Sequence, residues 1–154
     1  MLLRRDRVMT AVAIVLDVAF HAGRGSTVPA GDIADRLGEA RRGIEPVLQA
    51  LSRAGILGST RGPKGGYRLG RAARDITLAE LAAAITGPDA PRDGDEADPA
   101  APSPLQEKVL RPLWQELEAA LLAQLGELTI AELLRRAALA GLRRPTPEAL
   151  NFAI

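Results

Sequence analysis

Three short apolar-striped segments, each closed by glycine, run straight into a glycine-rich basic stretch, and no other feature limits the fold of this chain as much. In the first, Val8, Ala11, Val12, Val15, Val18 and Ala19 recur at three- and four-residue spacing, which predicts a helix over 6–22 with one apolar face. Gly23-Arg24-Gly25 ends it. A second helix is expected over 29–37, turning Ile33, Ala34 and Leu37 inward, and Gly38 breaks it. A third is expected over about 40–54, with Ile44, Val47, Leu48 and Leu51 as its stripe and Gly55 behind it. Pro46 is expected near the first turn of that helix, where a missing N–H costs little. Residues 56–61 and 67–69 then read as two strands around Gly62-Pro63-Lys64-Gly65-Gly66, a β-hairpin.

The rest of the chain also favours helix. Thr77 with Glu80, and Thr129 with Glu132, have the T-x-x-E spacing of a capping box ahead of a Leu/Ala-rich run. They mark two helix starts by shared chemistry, not by a repeat architecture. Residues 87–104, rich in Pro, Asp, Ala and Gly, read as a flexible acidic linker. Beyond it Leu105, Val109, Leu113, Leu117, Leu121 and Leu125 stand four apart, with Leu110 and Trp114 adjoining and Pro112 expected to kink or restart the helix. Only 3% of residues are aromatic, so Leu, Ala, Val and Ile must build the core, which suits helices better than a sandwich. The expected fold class is mainly α with a small β-hairpin. Its parts are a compact domain over 1–86, the linker over 87–104, a long helix and a C-terminal helix over 105–141, and a tail over 142–154, expected to be partly disordered.

The net charge of +1 conceals an asymmetry. Residues 1–74 hold 13 Lys and Arg against 6 Asp and Glu, whereas 75–154 hold 7 against 13. A basic half joined to an acidic half is expected when one end meets a polyanion, although a chance dipole gives the same count. The absence of cysteine excludes disulfides, thiol catalysis and cysteine-ligated metal. No apolar run reaches the roughly 18 residues of a membrane span. Residues 8–22 follow Arg4, Arg5 and Arg7 in the manner of a signal peptide, but Asp6, Asp17 and His21 interrupt them. A buried helix is the better reading, with His21 buried or capping, and a cytoplasmic, nucleoid-associated location is expected. There is no phosphate loop, His-rich metal motif or nucleophile–base pair, so an enzyme is poorly supported. Carboxylate or lysine chemistry stays open.

Helix, helix, turn, helix, hairpin is the plan of a winged helix-turn-helix. In that plan the helix after the turn presents its N-terminal side chains to base edges in the major groove, and the hairpin wing carries cations to the backbone or minor groove. Arg41 and Arg42 stand where the recognition helix begins, and Arg61, Lys64, Arg68 and Arg71 on or beside the wing. Each has a plainer reading: the two helix arginines as solvated surface charges, Gly65-Gly66 as any tight turn. A winged helix used only to bind protein is the rival to a DNA reader. Basic residues on both the turn-helix and the wing argue against it.

The stretch Arg53-Ala54-Gly55-Ile56-Leu57-Gly58-Ser59-Thr60-Arg61-Gly62-Pro63-Lys64-Gly65-Gly66-Tyr67-Arg68-Leu69 closely resembles the signature of one bacterial regulator family. We call it the Rrf-type family; it includes the iron–sulfur cluster regulator, the nitric-oxide-sensing repressor and the cysteine-metabolism repressor. Residues 32–37, 76–81 and 126–133 are similar to its helix before the turn, its helix after the wing and its C-terminal signature, so the resemblance covers about 1–140. It implies that Arg61 is the wing arginine reaching the minor groove, and that Glu45 is the recognition-helix glutamate able to face a base. It also implies phosphate contacts at Ser59 and Thr60, and dimerisation through the helix bearing Leu105 to Leu125. The usual Ser-Tyr at the helix start is replaced by Arg42-Gly43, so the resemblance carries over DNA binding but not the family's sequence preference.

Cluster-holding members carry three linker cysteines. Here that region has Asp89, Asp93, Asp95, Glu96 and Asp98, hard oxygen donors without metal-loop spacing. The expectation is a homodimeric regulator, more a repressor than an activator, binding double-stranded DNA at a near-palindromic operator without cofactor, metal or membrane. Any small-molecule effector is unidentified, and it would act near 77–87 and the linker.

Overall fold

The computed structural model describes residues 5–23, 25–87 and 101–145. The elements are α1 (Arg5–His21), α2 (Ala30–Leu37), α3 (Arg41–Arg53), β1 (Leu57–Thr60), β2 (Gly66–Leu69), a 3₁₀ turn (Ala73–Asp75), α4 (Leu78–Thr86), α5 (Arg111–Glu127) and α6 (Ile130–Leu139). The fold is mainly helical with one two-stranded antiparallel hairpin, as expected. The acidic residues between 89 and 98 and most of the expected tail lie outside the described residues.

Helix α1 is the hub. It packs against α2, α3, α4, β2 and α6, so its residues at three- and four-residue spacing find apolar partners on several sides. Ala11, Ile14, Val15, Val18 and Ala19 are buried there with Ile33, Ile44, Leu48, Leu51, Ile56, Ile76, Leu81, Ile85 and Ile130. Each such Ile or Leu contributes roughly 1.5–3 kcal/mol relative to exposure.

The turn between α2 and α3 is set by Gly38 at φ 66°. Gly38 N–H donates to the Asp35 carbonyl (3.3 Å) and Glu39 N–H to the Ala34 carbonyl (3.0 Å), closing α2 in a Schellman motif that needs a left-handed residue. The same pair of bonds closes α3 at Gly55 and Ile56.

Pro46 is a correction to the sequence expectation. With α3 starting at Arg41, it sits in the second turn, not the first. Its missing N–H leaves the Arg42 carbonyl without a helical donor on an exposed face, where water can supply one. Pro112 is accommodated differently from either expectation. The helix runs unbroken over 104–127 and passes through a π-helical turn at Gln106–Leu110, immediately before the proline. Arg111 N–H reaches back to the Gln106 carbonyl, so the winding is already relaxed where the proline withholds its own bond. That helix starts on a box the sequence reading passed over. Ser103 N–H donates to Gln106 Oε1 (2.7 Å) and Gln106 N–H to Ser103 Oγ (3.3 Å).

The two T-x-x-E starts come together in space. Thr77 and Glu80 form the full reciprocal box. At Thr129 only half forms: its hydroxyl accepts from Glu132 N–H (3.2 Å), while the Glu132 carboxylate turns to Arg135 and Arg136. Leu78 N–H donates to the Leu128 carbonyl (2.9 Å) and Ile130 N–H to the Ile76 carbonyl (3.0 Å), an antiparallel bridge joining the two starts.

Hydrogen bonds from Arg135, then Arg136, hold the Glu132 carboxyl down at about 2, and the Thr77 backbone N–H lowers Glu80. A depressed carboxyl contributes stability that is present above its unfolded value and lost as pH falls through the folded one. For Glu132 that window runs from 4.5 down to about 2. Thermal melts at low salt should separate wild type from Glu132→Gln above pH 4.5 and converge as pH falls toward 2. A constant separation across the window would contradict the assignment.

Candidate nucleic-acid interface

The outward face of α3 is built by subtraction. Ile44, Val47, Leu48, Ala50 and Leu51 are buried, which leaves Arg41, Arg42, Glu45, Pro46 and Gln49 exposed on the opposite side. Among the described residues, neither Arg41, Arg42 nor Glu45 is held in an ion pair, so these charges are available to an outside partner.

The wing is positioned by close backbone approach. The register is Leu57↔Leu69, Gly58↔Arg68, Ser59↔Tyr67 and Thr60↔Gly66. Val28, from the α1–α2 connection, adds a bridge to Tyr67, with each N–H donating to the other carbonyl at 2.8 Å. A Cβ on Gly66 would lie 2.5 Å from the Val28 carbonyl oxygen, and one on Gly65 2.3 Å from that of Thr60. These glycines are therefore more than a tight turn, because they let three backbone segments touch. Thr27 Oγ1 donates to the Lys64 carbonyl (3.0 Å) and pins the loop.

Side chains alternate across a strand pair, so Leu57, Ser59, Tyr67 and Leu69 share one face and Gly58, Thr60 and Arg68 the other. Leu57, Tyr67 and Leu69 turn toward the core. The other face borders a groove of about 480 Å³ whose polar lining comes from Ser26, Thr27, Thr60, Lys64 and Arg68 and whose apolar lining includes Pro29 and Pro63. The structure thus brings Thr60, Lys64 and Arg68 together and puts Ser59 on the opposite face. Arg61 is exposed at the loop. Arg71 is withdrawn from the wing: its Nη1 donates to Glu80 Oε1 (3.0 Å) and to the Asp75 carbonyl (3.2 Å), which ties it to the start of α4.

One partly buried charge pair ties α2 to α1. Asp17 on α1 accepts two bonds from Arg36 on α2, Nε to Oδ1 at 2.9 Å and Nη2 to Oδ2 at 2.8 Å. The Asp17 side chain is 8% exposed. Its hydrogen bond with Asp17 raises the Arg36 pKa. His21 is half-buried at the end of α1, with Nδ1 2.9 Å from the Asp17 carbonyl oxygen. Sequence reasoning missed this pair and Gln49. The available signals were an acid between Leu16 and Val18 in an apolar stripe, and the spacing of Gln49 from Arg42 and Glu45.

A family model described as Rrf2, iron-dependent transcriptional regulator, matches residues 5–136. The chain belongs to the Rrf2 family. The protein called rrf2 from Nitratidesulfovibrio vulgaris is 34% identical over 126 residues, covering 82% of this chain and 83% of its own. The HTH-type transcriptional regulator IscR of Photobacterium profundum is 36% identical over 129 residues, covering 81% and 71%. The solved IscR of T. potens shares the fold, with a TM-score of 0.67 at 24% identity over 90% of each chain. CymR, the global cysteine regulator of B. subtilis, gives 0.62 at 25% identity over 82% of this chain and 92% of its own. These Rrf2-family relatives are regulators, not enzymes. The iron in the family description finds no thiolate here, since the chain has no cysteine. Among the described residues no three His, Cys, Asp or Glu side chains gather as a metal site. The donor set does not fit an iron–sulfur cluster. Among the described residues no helix is long and apolar enough to cross a membrane.

Proposed function

We propose that this Rrf2-family protein is a sequence-specific DNA-binding repressor that grips a near-palindromic operator as a homodimer, without an iron–sulfur cluster. The observation that carries the reading is that the outward α3 face bears Arg42 and Glu45 while the wing, whose first strand packs on α3, bears Arg61, Lys64 and Arg68, none of them held in an ion pair among the described residues. Arg42 can donate twice to guanine, Glu45 can accept from cytosine, and Arg61 can enter a narrow minor groove. Thr60, Lys64 and Arg68 around their groove suit a backbone phosphate.

The dimer is supported by the helix over 104–127. Leu105, Val109, Leu110, Leu113, Trp114, Leu117, Leu121 and Leu122 stay between 38% and 72% exposed along it. So many apolar side chains on one helix exceed what a lone soluble chain ordinarily leaves in water, and a twofold copy is the self-complementary cover. Leu125, the last of the stripe, packs instead against the core of its own chain.

Genomic fragments retained by the protein supply the operator, and anisotropy titrations on that duplex test the reading. Affinity should fall steeply with salt, as phosphate contacts require. Arg61→Ala should weaken operator binding by about 1–3 kcal/mol while leaving the melting curve in place. Anaerobically purified protein should be colourless and still bind. Salt-independent binding, or binding lost on removal of stoichiometric iron and sulfide, would overturn the proposal.

A further inference from the structure

We infer that Gln49 reads a base in the major groove, adenine by preference, as a third specificity residue beside Arg42 and Glu45. The inference rests on the DNA-binding reading above and adds a residue to it.

The argument starts from the helical wheel. At about 100° per residue, Gln49 lies roughly 40° from Glu45 and 20° from Arg42, and Pro46 roughly 60° beyond it. Gln49 therefore stands in the middle of the exposed face of α3, opposite the buried Ile44, Leu51 and Val47. No hydrogen bond among the described residues holds its amide. One turn nearer the helix start, Glu45 occupies the same groove-facing strip, so a helix seated deeply enough for Glu45 carries Gln49 toward the bases with it.

The three side chains have different chemistries. Arg42 only donates and Glu45 only accepts. The planar amide of Gln49 does both, and it matches the N7 acceptor and N6 donor of adenine in a bidentate pair. Pro46, between Arg42 and Gln49 along the axis and at the edge of their strip, offers exposed apolar surface suited to a thymine methyl. Seven residues separate Arg42 from Gln49, a rise of about 10 Å, or roughly three base-pair steps. Arg42 and Gln49 thus address opposite ends of a short half-site.

The test is selection from random duplexes with wild type, Gln49→Ala and Gln49→Glu. Alanine and glutamate are good helix formers at this exposed position, so both variants keep the fold. Wild type should enrich a half-site containing an adenine whose preference disappears in Gln49→Ala while the other positions persist. Affinity for the wild-type consensus should drop about 5- to 150-fold. Gln49→Glu should move the preference at that one position toward cytosine, whose N4 donates to a carboxylate. A wild type that enriches a consensus, with Gln49→Ala enriching the same one, overturns this inference and leaves DNA binding standing. A wild type that enriches nothing overturns the DNA reading and this inference together.

Discussion

Leu117→Asp is expected to turn the protein into a folded monomer and to remove tight operator binding. Leu117 is 47% exposed within its own chain, so the substitution disturbs little of the protomer. Its effect falls on the interface proposed for the helix over 104–127, where a carboxylate would be buried against apolar partners. Two recognition helices on one dimer act as linked binding modules, and linkage of this kind is worth about 10²–10⁴ in affinity. Loss of the dimer should therefore weaken operator binding by at least ~100-fold, while binding of a single half-site changes little. Sedimentation at micromolar concentration checks the assembly, and circular dichroism checks the protomer. A variant that still sediments as a dimer, or a wild type that is monomeric, contradicts the proposed interface.

Asp17→Ala should have the largest effect on stability. Removing one partner of a buried pair strands the other, which costs about 3–5 kcal/mol when both are enclosed. Arg36 is 35% exposed and recovers some hydration, so about 2–4 kcal/mol is expected here. That is a large fraction of the 5–15 kcal/mol typical of a domain. The double variant Asp17→Ala/Arg36→Met should recover part of the loss, because no charge is left stranded. Urea unfolding of the two single variants and the double one gives the coupling directly. A loss below about 1 kcal/mol for Asp17→Ala would remove the pair from any role in fixing α2 against α1.

The core and the wing were legible because they depend on local chemistry. Gly38 and Gly55 close their helices where a left-handed residue is needed, and the stripe Ile44, Val47, Leu48, Leu51 is buried as its spacing requires. What the sequence did not disclose are the partners chosen by tertiary contact. Glu132 could have completed a cap at Thr129, but Arg135 and Arg136 stand one turn away on its own helix and attract its carboxylate more strongly. Arg71 looks like a wing cation in one dimension, and only the fold shows Glu80 within reach of it. Val28 is a single β-branched residue before Pro29 with no alternating run around it, so its isolated backbone bridge to Tyr67 leaves no strand pattern to read. Gln49 carries no distinguishing mark except its angle on a helix whose start, and hence whose numbering by turns, the sequence places only approximately.

The antiparallel bridge between Thr77 and Thr129 has a mechanical consequence. It fastens the foot of a stiff rod, the 24 residues over 104–127, to the body that holds α3. At 1.5 Å per residue that rod is about 36 Å long, so a tilt of roughly 5° at its foot sweeps the far end by about 3 Å, close to one base-pair step. In the proposed dimer, two such rods lie against each other, and their pitch sets how far apart the reading heads stand. In that dimer the play left at this joint, by the bridge and by the packing of Leu125 and of α5 on α4, would translate into the range of half-site spacings that the protein tolerates.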